Sequence, residues 1–320
     1  MVVIALTFFS IAFILGMIFM PYLIKHLLEK GFFGFDVHKR QKVKVAEPGG
    51  FGVVFSFMFT ILLYVAFLTF TNSVLKVNLL AATLTILMAG IIGVIDDMLA
   101  LPWRVKLVSA FIPALPLIAL KAGTSSMIFP LIGSVELGLF YSLVMIPLMV
   151  NFAINSYNML AGFNGLESGM AIISLATVAL AALKVGNTDV MVLAASGLGA
   201  TLAFYIFNRY PSRVFPGDTG TFVWGALLIS ALIIGNMEKL AIGIFSLYFV
   251  NFFLFMFYLF SRSKQKFAKV GIHGDINPPS WYTLYWVFPY FIKGLKEKHV
   301  VAILLGLQVI ICAISLVVFV

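Results

Sequence analysis

Apolar runs of about 20 residues, each closed by a short polar break, recur along the whole chain. Ten of them, at about 2–24, 50–70, 77–95, 106–121, 137–154, 168–184, 188–207, 219–235, 240–260 and 300–319, are long enough to cross a bilayer as helices. Pro113 and Pro116 interrupt the fourth run and Pro147 the fifth, which predicts kinks or short broken helices there. The stretch WYTLYWVFPYFI, residues 281–292, is too aromatic and too short for a span. It suits a segment lying in the membrane interface or partly covering a cleft. GSVELG, around Glu136, reads as a small outer turn or hairpin. No internal repeat is visible, so the chain gives no support to an inverted-repeat transporter. The first run has no basic residue before it and Lys25, Lys30, Lys39 and Arg40 after it, the reverse of a cleavable signal peptide. It reads as a retained anchor.

Composition agrees with this pattern: 62% of the 320 residues are apolar and 10% are charged, against roughly 25% charged in a soluble domain. The expected fold is therefore an all-α polytopic membrane protein forming one domain over 1–320. The single cysteine, Cys312, lies in the last run and excludes an intrachain disulfide. A formal net charge of +9 raises the question of nucleic acid, and the placement of the charge answers it. Of the 21 Lys and Arg, 17 fall in the odd-numbered connections, and the even ones hold only Lys76, Lys121, Lys184 and Lys239. The bias makes the odd connections, at about 25–49, 96–105, 155–167, 208–218 and 261–299, cytoplasmic and puts both termini outside. It accounts for the positive charge without nucleic acid.

The larger polar clusters fall in those same connections. Asp36 and Glu47 are in the first, Asp96 and Asp97 open the third, and the fifth carries NSYNMLAGFNGLE, residues 155–167. Asp218 closes the seventh, and His273 and Asp275 lie in the ninth. A cytoplasmic cleft is the expected place for chemistry. Adjacent carboxylates at a helix C-terminus repel each other and oppose the helix dipole, so a cation or proton is expected to compensate Asp96 and Asp97. Lys106 is placed to hold a phosphate as a point charge, or to serve only as an inside anchor. Asn155 and Asn158 share a helix face, and Gly162 and Gly165 permit a tight turn. The same island would also suit an interhelical polar lock. Asp218 directly precedes an apolar helix, where an aspartate often acts as a cap and is also a hard-cation donor. Oxygen donors with one cysteine and few histidines favour Mg2+, with Mn2+ as a substitute, over zinc.

Three motifs in order, the DD pair with lysine nine after its second Asp, NxxNxLAGxNGLE and FNxYPSRVFxGDT, make the chain resemble the polyprenyl-phosphate N-acetylhexosamine-1-phosphate transferases. The likeness runs from about Glu47 to the ninth connection and looks nearer the dolichyl-phosphate GlcNAc-1-phosphate branch. Ala161 stands where the bacterial branch typically carries an aspartate. The resemblance implies transfer of a sugar 1-phosphate from a UDP-activated amino sugar to a polyprenyl or dolichyl phosphate in the bilayer, with release of UMP. It implies metal binding by Asn158 and Asp218. Asp96 and Asp97 would lie near the lipid phosphate as base or orienting groups, with Lys106 as a second positive group. Substrate contacts would come from Glu47, Asn155, Asn164, Phe215 and His273, with Asn164 and Phe215 at the uridine. The chain departs from the dolichol branch at His273, which lacks a neighbouring arginine; none lies nearer than Arg262. Donors such as UDP-GalNAc or UDP-MurNAc-pentapeptide therefore stay open. So does a homodimer. A plasma membrane is expected in an archaeon and the endoplasmic reticulum in a eukaryote. A transporter or channel for an anionic solute is the rival reading, against which stands the scarcity of polar residues at mid-depth.

Overall fold

The computed structural model describes residues 1–39, 41–71, 73–129, 133–260 and 267–320. Arg40, Arg262, Lys264 and Lys266, counted above in the first and ninth connections, lie outside the described residues.

The first three apolar runs fold as α1 (Val2–Glu29), α2 (Gly50–Phe70) and α3 (Val77–Leu99). Between α1 and α2 a hairpin pairs β1 (Phe33–Asp36) with β2 (Val43–Ala46). The fourth run breaks where its prolines remove backbone donors. It becomes α4 (Trp103–Ser109), a 3-10 turn over Ile112–Ala114, and α5 (Leu115–Ala119). The hairpin of β3 (Ser126–Phe129) with β4 (Gly133–Glu136) follows, as the GSVELG stretch suggests. The fifth run opens with a π-helical turn at Tyr141–Met145 and continues as α6 (Ile146–Met159), with Pro147 in its first turn. Then come α7 (Leu166–Lys184), α8 (Thr188–Asn208) and α9 (Gly217–Ile234). The ninth run is a bent pair, α10 (Glu238–Ile244) and α11 (Ser246–Phe260). After β5 (Lys269–Val270) and β6 (Ile276–Asn277), the aromatic stretch forms the short α12 (Leu284–Phe291), and α13 (Glu297–Phe319) ends the chain.

Among the described residues, seven helices are long and apolar enough to cross a membrane, or eight with the α10–α11 pair bent by 58° counted as one span. The expectation of an all-α chain is corrected in one respect. Among the described residues, three two-stranded antiparallel sheets sit in the connections.

Helix α9 is the axis of the packing, with every residue from Thr219 to Ile234 buried. It packs on α3, α6 and α2, while α8 packs on α1 and α7. Around this core, apolar side chains such as Ile18, Phe59, Phe253 and Phe257 face outward. So continuous an apolar surface needs lipid to cover it, and the chain is a multi-pass membrane protein. Several polar groups in the core find partners within it: Trp224 Nε1 donates to Thr201 Oγ1 at 3.0 Å, and Gln308 Nε2 donates to the Ile244 carbonyl at 3.0 Å. In the even connections, isolated acids are tied down by tyrosines. Tyr64 donates to Asp189 at 2.7 Å, and Tyr141 donates to Glu238.

Candidate active site

One end of the bundle gathers the C-termini of α3 and α6 and the N-termini of α2, α7, α9 and α13. The approach of α3 to α9 sets the geometry. Gly93 has no space for a side chain, since an added Cβ would lie 2.6 Å from Thr219 Cα. This closeness lets Asp97, at the end of α3, cap α9 from across the contact. Its Oδ1 accepts the Asp218 N–H at 2.6 Å, and its Oδ2 accepts the Thr219 N–H at 2.9 Å together with the Thr219 hydroxyl. A carboxylate at a helix N-terminus satisfies free donors and is favoured by the dipole. The capping read for Asp218 thus belongs to Asp97, which leaves the Asp218 side chain free for other partners.

Gly217 makes this cap possible. Its φ is +65°, and a Cβ there would come within 2.6 Å of Pro48 Cβ and 2.7 Å of both Asp97 oxygens. Gly217→Ala is expected to push Asp97 off the helix and lower turnover roughly 100-fold, since an ångström of misplacement costs about that much. Steady-state rates checked against a thermal melt of the detergent-solubilised variant measure the effect.

Asp96 is buried, 1% exposed, and faces the other way. Its Oδ1 accepts the Leu101 N–H at 2.9 Å, and its Oδ2 pairs with Lys106 Nζ at 2.8 Å. Lys106 also donates to Asp218, bridging the two carboxylates. From α6, Asn158 Nδ2 donates to the other Asp218 oxygen and to Thr221 Oγ1 at 3.1 Å. Two donors, one of them cationic, therefore converge on Asp218. Among the described residues no three His, Cys, Asp or Glu side chains form a metal cage. A carboxylate with a neighbouring amide and hydroxyl nevertheless fits a hard cation such as Mg2+, which usually takes one or two carboxylates and fills its shell with water and phosphate oxygens.

Asp218, Asn158 and Thr221 line a cavity of about 360 Å³ that also includes Glu47, Asn164 and Phe215. Glu47 follows β2 directly. Burial, with Asp97 and Asp218 nearby, pushes its carboxyl up to about 7. Phe215 is fixed by the backbone: its N–H donates to the Ala46 carbonyl at 2.8 Å, and its carbonyl accepts the Gly49 N–H at 2.7 Å. On the opposite wall the island turns sharply, with the Gly162 N–H donating to Glu167 Oε1 at 2.5 Å. Tyr285 of α12 packs on this turn, its ring centroid 5.0 Å from that of Phe163. The aromatic segment thus lies against the cleft wall, one of the two placements expected for it. Burial pushes the His38 imidazole down to about 4, so it stands neutral in the same wall.

Two residues singled out in the sequence lie elsewhere. Asn155 turns back to its own helix, its Nδ2 donating to the Asn151 carbonyl at 3.0 Å. His273 is exposed and borders a second cavity of about 320 Å³ with Lys39, Tyr210 and Lys296. Thr219, the last residue of the FNxYPSRVFxGDT motif, takes part in the site's hydrogen bonding, as do Thr221 and Glu297, which no motif announces.

Fold and site together define a polytopic membrane protein with a carboxylate, amide and lysine centre opening at one end of its bundle. The model describing glycosyl transferase family 4 matches residues 79–236. A Saccharolobus solfataricus protein named "Putative UDP-N-acetylglucosamine--dolichyl-phosphate N-acetylglucosaminephosphotransferase" is 30% identical over 319 residues, covering 96% of this chain and 94% of its own. The phospho-N-acetylmuramoyl-pentapeptide-transferase of Streptococcus pyogenes serotype M6 is 29% identical over 278 residues, 81% of this chain and 82% of its own. The chain belongs to glycosyl transferase family 4.

Proposed function

We propose that the protein transfers GlcNAc-1-phosphate from UDP-GlcNAc to a polyprenyl or dolichyl phosphate, releasing UMP and leaving the sugar on the lipid through a pyrophosphate. The convergence of Lys106 and Asn158 on Asp218, in one cavity with Glu47, Asn164 and Phe215, carries this reading. An oxygen of the lipid phosphate attacks the β-phosphorus of the donor, and the bond from that phosphorus to the bridging oxygen breaks. UMP leaves with the electron pair. A phosphate monoester is largely dianionic near neutral pH, with a second pKa of about 6, so the nucleophile needs little help from a base.

The difficulty is the crowding of negative charge, and positioning and neutralisation answer it. Mg2+ held by Asp218 and Asn158 would supply that neutralisation on the donor pyrophosphate, with Mn2+ as a substitute. Lys106 adds a fixed positive charge beside it. Asp97 holds the start of α9 and Asp96 holds Lys106, so both aspartates act as positioning groups. Their oxygens are already committed to N–H, O–H and ammonium donors. Phe215 offers its ring to the uracil and Asn164 its amide, while Glu47 lies toward the sugar. Ten spans with both termini outside would put this cleft on the cytoplasmic face, in the plasma membrane of an archaeon or the endoplasmic reticulum of a eukaryote. The distribution of Lys and Arg supports that orientation.

Relatives named for different donors recommend a panel. Purified protein given polyprenyl phosphate, Mg2+ and UDP-GlcNAc, UDP-GalNAc or UDP-MurNAc-pentapeptide is expected to form lipid product fastest from UDP-GlcNAc. Faster product from UDP-MurNAc-pentapeptide would assign the donor to the cell-wall branch, and no product from any donor would sink the transferase reading.

A further inference from the structure

We propose that Asp36 is the residue that makes this site select uracil over cytosine, acting through the side chain of Asn164. The inference rests on the reading of Asn164 as the group facing the nucleotide base. Four residues from three distant parts of the chain form a closed polar ring. Asn164 Nδ2 donates to Asp36 Oδ2 at 2.9 Å, and the Asn164 backbone N–H donates to Glu297 Oε1 at 2.7 Å. Lys39 Nζ closes the ring, 3.2 Å from Asp36 Oδ2 and 2.6 Å from Glu297 Oε2. The Lys39 ammonium also stands over the Tyr210 ring, 3.9 Å from its centroid. Asp36, Asn164 and Glu297 are each at most 5% exposed, so the ring is sheltered from water.

The chemistry follows from the direction of these bonds. An amide has a donor end and an acceptor end of nearly equal size, and only its partners decide which way it lies. A carboxylate paired with lysine accepts and does not donate. Asp36 therefore takes the NH2 end of Asn164 and turns Oδ1 away. Among the described residues Oδ1 has no hydrogen-bond partner, and Asn164 lines the cavity that holds Phe215. The site thus offers a base an acceptor in a fixed orientation. Uracil presents a donor, N3–H, to such an atom. Cytosine presents a lone pair at N3, and two acceptors would face each other in a sheltered place. The opposite amide orientation would favour cytosine, and it is the one Asp36 forbids. Asp36 is also held from behind: its Oδ1 accepts the His38 N–H at 3.2 Å, and Lys39 anchors the other oxygen.

The test is nucleotide binding to the whole protein in detergent with Mg2+, measured by calorimetry with UMP, CMP and N3-methyl-UMP. Wild-type protein is expected to bind UMP and to bind CMP and N3-methyl-UMP roughly 10- to 100-fold more weakly, the range expected for a sheltered acceptor left unpaired. In Asp36→Asn the partner at position 36 has both a donor and an acceptor end, so the Asn164 amide is free to turn. The preference for UMP over CMP should then fall to within about threefold. Glu297→Gln leaves the Asp36 contact in place, so it should weaken UMP and CMP alike and keep their ratio. A general loss of structure would not produce that contrast. Wild-type protein that binds UMP and CMP equally overturns the proposal while leaving the transferase reading intact, as does an Asp36→Asn protein that keeps the full preference. If Asp36→Asn does not fold, wild-type protein that binds CMP or N3-methyl-UMP as tightly as UMP still overturns the proposal, and Asp36→Ala, which likewise frees the Asn164 amide, is expected to lose the preference in place of Asp36→Asn. Absence of UMP binding to wild-type protein would overturn both.

Discussion

Replacing Asp218 with Asn is expected to lower sugar-phosphate transfer roughly 1,000-fold or more, since removal of one charge-stabilising group already costs two to three orders of magnitude. The fold should survive, because the start of α9 is held through backbone N–H groups at 218 and 219 that the substitution leaves unchanged. Lys106 keeps its pairing with Asp96 at 2.8 Å. What is lost is the one carboxylate on which Lys106 and Asn158 converge. If that carboxylate is the anchor for a divalent cation, the Mg2+ concentration for half-maximal rate should rise by at least about 10-fold in any residual activity. Rates measured across a Mg2+ series, with a thermal melt to confirm folding, check both parts. A rate and a metal requirement equal to those of the wild-type protein would remove Asp218 from the site.

Lys106→Met tests the second large effect and separates two roles carried by one side chain. If the ammonium stands beside the reacting phosphates, as proposed, its loss should cost roughly 100- to 1,000-fold in rate. It should also destabilise the protein by about 3–5 kcal/mol, because the Asp96 carboxylate, 1% exposed, is left buried without its counter-ion. Adding Asp96→Asn removes that uncompensated charge. The double variant should therefore melt close to the wild-type temperature and yet remain inactive. Recovery of activity together with stability would mean that Lys106 serves packing alone.

Much of the architecture can be read from the sequence because bilayer-length apolar runs and polar islands are local signals. The approximate position of every long helix follows from them, and the prolines of the fourth run account for the 3-10 turn and two short helices found there. The cleft is legible for a related reason: Asp97, Asn158 and Asp218 stand out against an apolar background and fall in different odd-numbered connections. Relationships between distant residues carry no such signal. Asp97 looks like one half of a repulsive pair, but the structure makes it the cap of a helix that begins 120 residues later. Glu297, at the start of α13, bonds the backbone of the island at Asn164, 133 residues away in sequence. Asn155 has the right spacing for the cleft and instead satisfies the carbonyl of Asn151 one turn earlier, a local bond that spacing alone does not foresee. The hairpin at GSVELG is visible in the sequence, whereas the β1–β2 and β5–β6 hairpins escape a reading based on apolar periodicity because their strands are only two to four residues long.

The nucleotide product tests the chemistry most directly. Transfer of a sugar 1-phosphate breaks the pyrophosphate of the donor and releases UMP, whereas transfer of a sugar alone would release UDP. Purified protein with UDP-GlcNAc, polyprenyl phosphate and Mg2+ is expected to release UMP in step with lipid product, and to release none when the lipid phosphate is omitted. Release of UDP, or formation of UMP at the same rate without the lipid phosphate, would contradict sugar-phosphate transfer at this site.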